Sequence, residues 1–377
     1  MRIAVLAESD KAEPRVAATP ETVKKFKALG AEIAVQAGAG VAAGFLDADY
    51  ESAGAALAAN TAAALANADV ILRVRRPAAA EIAGARPGAA LVCIMDPYGA
   101  EAALAALAKA GTTAFAMELM PRITRAQVMD VLSSQANIAG YYAIVDAAEN
   151  YCRAVPMMMT PAGTVPAAKI FVMGVGVAGL QAIATARRLG GVVTATDVRP
   201  ATKEQVESLG AKFVAVENEE FKQAETSGGY AKEMSEDYRR QQAELVAAHI
   251  ARQDIVVTTA LIPGRPAPRL ITAEMARSMR PGSVIVDLAA ERGGNTELTK
   301  PGEIVVDKGV RIIGAVNYAG RMASTASSLY ARNLLAFVET LISKETRELA
   351  IDWNDELVKA TCLTRDGVVD ARFAAKA

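Results

Sequence analysis

The sequence predicts an α/β protein made of two doubly wound parallel-sheet domains, the first of them discontinuous. Three observations carry that prediction. Short apolar strands alternate with amphipathic helices through the first third of the chain, a second series of strands occupies residues 169–314, and beyond Asn317 the pattern is purely helical. A helix that follows the last strand of the second series is expected to pack back on the first, so residues 1–134 with 318–377 should form one domain and 135–317 the other. The length of 377 residues suits about two domains with separate cores.

In the first series, strands are expected at 3–6, 32–36, 70–74, 90–95 and 113–116. The clearest helices are 20–29 and 99–110. Thr19 is placed to cap the former, with Pro20 at its first position and Gly30 closing it. A long helix at 133–150 then bridges the domains and gives way to a Pro- and Met-rich loop, where Met157, Met158 and Met159 are expected to supply adaptable packing behind a ligand. The second series comprises strands at 170–173, 192–196, 212–216, 254–258, 283–287, 303–306 and 311–314. A helix at 325–343 presents Leu329, Leu334, Leu335, Val338 and Leu341 on one face, and Trp353 should pack under the C-terminal helices.

Composition narrows the possible partners. Basic and acidic residues nearly balance at a net charge of −1, and no Lys/Arg block interleaves with aromatics, which argues against nucleic acid and against a polybasic membrane anchor. Cys93, Cys152 and Cys362 are odd in number and far apart; they read as buried thiols of a reducing compartment, with no disulfide framework and no metal site. The N-terminus lacks the apolar core of a signal peptide. The longest apolar candidate, 155–180, is interrupted by Pro156, Pro161, Pro166, Lys169 and three glycines, so a cytoplasmic protein is expected.

The most specific local signal is Gly174-Val175-Gly176-Val177-Ala178-Gly179, which follows an apolar strand and opens a helix. The first glycine permits the tight turn, the second lets a pyrophosphate approach the backbone, and the third lets helix and strand pack closely. Asp197 ends the second strand about 18 positions beyond Gly179. A carboxylate there accepts hydrogen bonds from ribose hydroxyls and repels a 2′-phosphate, which favours NAD(H) over NADP(H).

A self-sufficient dehydrogenase also needs a group to take a proton. His249, the sole histidine, falls in a polar helix away from these motifs and reads as a solvated surface residue. The cluster Arg122-Ile123-Thr124-Arg125-Ala126-Gln127-Val128-Met129-Asp130, followed by Ser133, offers donors and acceptors that could orient a carboxamide, and none suited to proton abstraction at neutral pH. Its plain reading is a capped helix start with surface charges. The acidic stretch 217–234 reads as an exposed loop or, alternatively, as a lid with Gly228-Gly229 as hinge and Tyr230 at its tip.

Over nearly its whole length the chain resembles the soluble NAD(H)-binding component, domain I, of the proton-translocating nicotinamide nucleotide transhydrogenases. The resemblance is densest at Met117-Glu118-Leu119-Met120-Pro121-Arg122-Ile123 through Asp130, across Gly174 to Ala186, at Ala201-Thr202-Lys203-Glu204-Gln205-Val206, and at Gly228-Gly229-Tyr230-Ala231-Lys232-Glu233-Met234. It implies that NADH bound here passes a hydride to NADP+ held by a partner, a reaction in which no proton leaves the reacting carbons. It further implies that Arg122, Gln127, Asp130 and Ser133 set the nicotinamide, with Ile123, Thr124, Val128 and Met129 beside them. Val177, Asp197, Val198 and Arg199 match adenosine-side contacts, Gly229 and Tyr230 the mobile loop, and Gln242 and Leu261 further nucleotide neighbours. The implied assembly is a homodimer that joins an NADP(H)-binding beta subunit and a small membrane-spanning alpha subunit at the cytoplasmic face of the inner membrane. Because the chain ends at Ala377 without membrane helices, the separate-subunit form is expected.

Two rival readings remain. Alanine dehydrogenases share the architecture but use a lysine near the segment matching Leu72-Arg73-Val74-Arg75-Arg76-Pro77 and a histidine after the next strand, where this chain has arginines and Ile94-Met95-Asp96-Pro97. Arginine cannot act as a base at neutral pH, which disfavours amine oxidation. The other rival is an NAD-sensing module without catalysis.

Overall fold

The computed structural model describes residues 1–222 and 234–375. In chain order the strands are β1 (Arg2–Val5), β2 (Glu32–Gln36), β3 (Ala56–Ala58), β4 (Val70–Arg75), β5 (Ala90–Ile94), β6 (Thr113–Ala116), β7 (Met158–Thr160), β8 (Gly163–Val165), β9 (Lys169–Met173), β10 (Val192–Thr196), β11 (Lys212–Phe213), β12 (Ile255–Thr258), β13 (Val284–Asp287), β14 (Ile304–Asp307), β15 (Val310–Gly314), β16 (Cys362–Arg365) and β17 (Val368–Val369). Two compact units divide the chain, Met1–Gln135 with Ala319–Ala377 and Ala136–Tyr318.

The first unit holds a sheet in the order β17-β16-β6-β5-β4-β1-β2-β3, in which β1 to β6 run parallel. Strand periodicity explains its two cores. Alternate side chains leave opposite faces, so Ile3 and Val5 join Phe26, Phe115, Tyr330 and Phe337 on one side, while Ala4 and Leu6 join Leu65, Leu104 and Leu107 on the other. Each such fully buried large side chain contributes roughly 1.5–3 kcal/mol of burial energy. The helix Pro20–Ala28 starts as the sequence predicts, with the Thr19 and Thr22 side chains each capping the other's backbone amide.

The chain beyond Asn317 is not purely helical, contrary to expectation. Helix Ala323–Thr340 covers the first core, but β16 then adds antiparallel to β6 and turns into β17. The turn is Asp366-Gly367 with φ of 51° and 79°, the left-handed pair of a tight hairpin, and Thr364 Oγ1 ties the strand to Thr112 O at 2.7 Å. The Asp-Gly signal between β-branched residues was available in the sequence. Trp353 packs against this first core with the Arg365 guanidinium 3.7 Å above its ring.

The second unit has the sheet order β11-β10-β9-β12-β13-β15-β14, parallel except for the edge strand β14. Ile170 and Val172 face one core, and Phe171 faces the other. The order reverses between β9 and β12, and open α/β sheets bind ligands at the carboxyl end of such a switch.

Three further expectations are corrected. The segment before β9 contains the hairpin β7–β8, and Met157, Met158 and Met159 on it are exposed, not packed behind a ligand. Cys93 is buried and Cys362 half-buried, but Cys152 is exposed. His249 is half-buried on helix Glu236–Ile250: its Nε2 lies 2.8 Å from Thr194 Oγ1 and its ring stands edge-on to Phe171. A polar helical sequence conceals which single turn meets the sheet.

Candidate dinucleotide-binding site

At the end of β9 the chain turns at Gly174, whose φ of +99° is a left-handed conformation that glycine adopts without strain. Its carbonyl accepts a hydrogen bond from Thr259 Oγ1 at 3.0 Å, which pins the turn to the neighbouring strand end. Helix Val177–Arg188 follows, and a Cβ on Gly179 would sit 1.9 Å from the Gly174 carbonyl oxygen. Gly140 lies equally close to this helix start, since a Cβ there would be 2.1 Å from Ala178 O. Around Gly176 the situation is reversed. A Cβ would meet nothing within 4 Å among the described residues, and the residue caps the helix without any side chain taking its first amides. Space in front of unclaimed helix amides fits a pyrophosphate.

Asp197 stands beside this turn and is only 7% exposed at the side chain. Oδ2 accepts from the Val175 amide at 2.7 Å, while Oδ1 accepts from the Arg199 amide and from its Nε, both at 2.9 Å. The carboxylate therefore braces the glycine turn as well as standing where ribose hydroxyls would reach it. Val198 is exposed, Val177 half-buried, and Leu261 exposed on a loop held by Asn295, whose Oδ1 accepts from Ala260 N at 3.0 Å. Gln242 works from the next helix: its Oε1 accepts the Val216 amide at 2.9 Å and its Nε2 donates to Thr196 Oγ1 at 3.2 Å. Gly229 and Tyr230 lie outside the described residues. Thr259, Asn295 and Gly140 escaped the sequence reading because no local motif marks them.

In the first unit, residues 122–133 form a compact structure of their own. Thr124–Met129 is a 3-10 turn with Arg122, Thr124, Gln127 and Val128 exposed and Met129 buried, and Ile123 packs against the first core. Asp130 caps the helix Val131–Asn150, its Oδ1 accepting from Ser133 N at 2.8 Å and its Oδ2 from Ser133 Oγ at 2.6 Å. Such a cap contributes about 0.5–2 kcal/mol. Arg125, absent from the expected contacts, forms a bidentate pair with Asp355 at 2.8 and 2.7 Å.

The segments where an alanine dehydrogenase would need its lysine and histidine carry ion pairs instead. Glu13 receives Arg15 Nε at 2.7 Å and Nη2 at 2.6 Å, and Arg75 Nε at 2.9 Å. Burial penalises the Glu13 charge, but the two guanidiniums outweigh it and hold the carboxyl below its ordinary range. Arg73 is buried between Glu8 and Glu81, and Arg76 Nη1 donates to the Asp96 carbonyl at 2.7 Å.

These features define a two-unit α/β protein with a dinucleotide turn on the second unit. Models of the alanine dehydrogenase/PNT N-terminal and C-terminal domains match residues 4–139 and 143–372, and the chain belongs to that family. It is 54% identical over 374 residues to the first of the alpha-subunit chains of the NAD(P) transhydrogenase of Rhodospirillum rubrum, covering 98% of this chain and 97% of that one. Identity to the alanine dehydrogenase of Halomonas elongata is 30% over 385 residues, covering 100% and 96%. Among solved structures, the transhydrogenase of Sinorhizobium meliloti superposes with a TM-score of 0.90 at 60% identity, covering 98% of this chain and 100% of that one.

Proposed function

We propose that this chain is the NAD(H)-binding component of an NAD(P) transhydrogenase, from which a hydride passes directly to NADP+ held by a partner subunit. One pairing of observations carries the reading. The glycine turn and Asp197 are fitted to NAD(H), while the positions at which an amine oxidiser keeps its base hold the Arg15–Glu13–Arg75 cluster. Every polar hydrogen-bonding edge of Arg15 is engaged, by Glu13 and by Gln135, so it offers no free fork to a substrate carboxylate. The 54% identity to a transhydrogenase alpha subunit supports the same choice over alanine oxidation.

In this reading NADH supplies the hydride, and the chain's own residues bind and orient it. The amides after Gly176 hold the pyrophosphate and Asp197 the ribose, with Val177, Val198, Arg199, Gln242 and Leu261 along the adenosine side and Gly229 and Tyr230 closing over it. Arg122, Gln127, Asp130 and Ser133 fix the nicotinamide carboxamide, flanked by Ile123, Thr124, Val128 and Met129. The hydride leaves with its electron pair and no proton is exchanged at carbon, so alignment and exclusion of water do the catalysis. The working assembly is a homodimer with an NADP(H)-binding beta subunit and a small membrane-spanning alpha subunit at the cytoplasmic membrane face. That division of labour fits a chain in which no helix among the described residues is long and apolar enough to cross a membrane.

The test mixes the purified chain with a purified NADP-binding transhydrogenase component and follows transfer between the two nucleotides. Transfer that requires both proteins is expected. Oxidation of alanine with NAD+, without transfer between nucleotides, would overturn the reading.

A further inference from the structure

We propose that Asn333 is a positioning residue for hydride transfer: it holds the turn that carries Gln127 by donating to the Val128 carbonyl. The proposal rests on the function proposed above. Six-residue 3-10 turns hold themselves poorly, because their hydrogen-bond geometry is inferior to that of an α-helix. Here the closing bond, Asp130 N to Gln127 O, is stretched to 3.4 Å. External tethers must therefore keep Gln127 in place. The Arg125–Asp355 pair is one, but Arg125 is half exposed, and solvent-screened pairs contribute little. The other is buried. Asn333, 7% exposed on helix Ala323–Thr340, places Nδ2 at 2.7 Å from Val128 O.

What fixes Asn333 is a continuous chain of bonds leading back to the ion pairs. Its Oδ1 accepts from Ser134 Oγ at 2.7 Å, and Ser134 Oγ accepts from Gln135 Nε2 at 3.2 Å. Gln135 Nε2 also donates to Ala326 O at 3.1 Å, and its Oε1 accepts from Arg15 Nη1 at 2.7 Å. Arg15 is in turn held by both oxygens of Glu13. The two ends set the direction of every bond between them. A guanidinium can only donate and a backbone carbonyl can only accept, so neither amide can flip without pairing donor against donor or acceptor against acceptor. Buried networks satisfied in this way hold one arrangement. Within the first unit, the cluster standing where a relative keeps its amine-oxidising base thus serves as the anchor of the Gln127 turn.

The test compares Asn333→Leu and Asn333→Asp with Ser327→Ala, which loses a buried bond from Val16 N at 3.0 Å on the same helix but none in this chain. Single-turnover hydride transfer to the saturated NADP-binding component, NADH affinity, melting temperature and hydrogen exchange over residues 122–130 are measured for each. Both Asn333 variants should transfer hydride about tenfold or more slowly, bind NADH within about twofold of wild type, and exchange faster at 122–130. Ser327→Ala should do neither at a comparable loss of melting temperature. Wild-type transfer rates in the Asn333 variants, equal slowing in Ser327→Ala, or unchanged exchange at 122–130 would each overturn the proposal. If the wild-type chain itself transfers no hydride, the proposed function fails, and the exchange measurement still decides the tether.

Discussion

The carboxylate of Asp197 is shared between the glycine turn and Arg199, with Oδ2 at 2.7 Å from Val175 N and Oδ1 at 2.9 Å from Arg199 Nε. Arg199 Nη2 reaches further, to the Val175 carbonyl at 3.1 Å. A residue expected only to meet the ribose therefore also neutralises the one guanidinium that could welcome a 2′-phosphate. Ionised carboxylates offer about four acceptor positions, so ribose hydroxyls can still be accommodated.

Asp197→Ala is accordingly expected to act twice. NADH binding should weaken by about tenfold through loss of the ribose acceptor and of the brace on Val175, and the freed Arg199 should bring NADPH affinity closer to that of NADH. Asp197→Ala with Arg199→Ala should lose the gain in NADPH affinity while keeping the weakened NADH binding. Titration of both nucleotides checks this, and unchanged selectivity in the single variant would mean that Asp197 does not face the ribose.

The glycines of the turn divide into two kinds. A methyl on Gly179 meets the Gly174 carbonyl at 1.9 Å, so Gly179→Ala must displace backbone and should lower both the melting temperature and NADH affinity. A methyl on Gly176 meets nothing among the described residues. Gly176→Ala should therefore melt within a degree or two of wild type yet bind NADH at least about tenfold more weakly, because only the bound nucleotide would collide with it. Calorimetry with and without NADH separates the two, and full NADH affinity in Gly176→Ala would place the pyrophosphate elsewhere.

How much of this was legible in the sequence follows from the range of the interactions. Strand-helix alternation and the fingerprint depend on neighbours a few residues apart, and β2, β6 and the Gly174 turn stand where they were expected. Short strands with one polar face were lost: β3 is a three-residue edge, and β16 follows a helix without a break in composition. The site was legible where one motif carries both backbone geometry and chemistry, as at Gly174 to Gly179. Thr259, Asn295 and Asn333 act on residues 35 to 205 positions away, and periodicity does not encode such pairings. Asp130 shows the opposite limit. Both its capping role and its proposed ligand role were visible, and the same bonds to Ser133 serve the first.

Gln127 is exposed at the surface of its turn and its side chain makes no hydrogen bond among the described residues. Shortening it by one methylene should therefore leave folding untouched. For Gln127→Asn we expect an unchanged melting temperature, NADH affinity within about twofold of wild type, and hydride transfer slowed by about tenfold or more, the pattern of an interaction made only as the two nicotinamides align. Stopped-flow transfer in the mixed assay checks it. A loss confined to NADH affinity would assign Gln127 to ground-state binding instead.

His249 gives a pH dependence that can be isolated cleanly, because it is the only histidine in the chain. Burial lowers its pKa from the ordinary 6.5, and the positive charges of Arg252 and Lys212 lower it further. The folded protein thus favours the neutral ring, which sits against Phe171 and within 2.8 Å of Thr194 Oγ1. As pH falls below about 6.5 the unfolded chain takes up a proton on this residue while the folded chain does not. The stabilisation present above 6.5 is therefore lost across the window between 6.5 and the lower folded pKa. Urea unfolding at pH 7.5 and pH 5.5 should show a larger loss on acidification for wild type than for His249→Gln, since the carboxylates contribute alike to both. NMR titration of the ring protons should place the midpoint below 6.5. A midpoint at or above that value, or equal acid sensitivity in the two proteins, would show that the ring is solvated and adds nothing to the pH dependence of the fold.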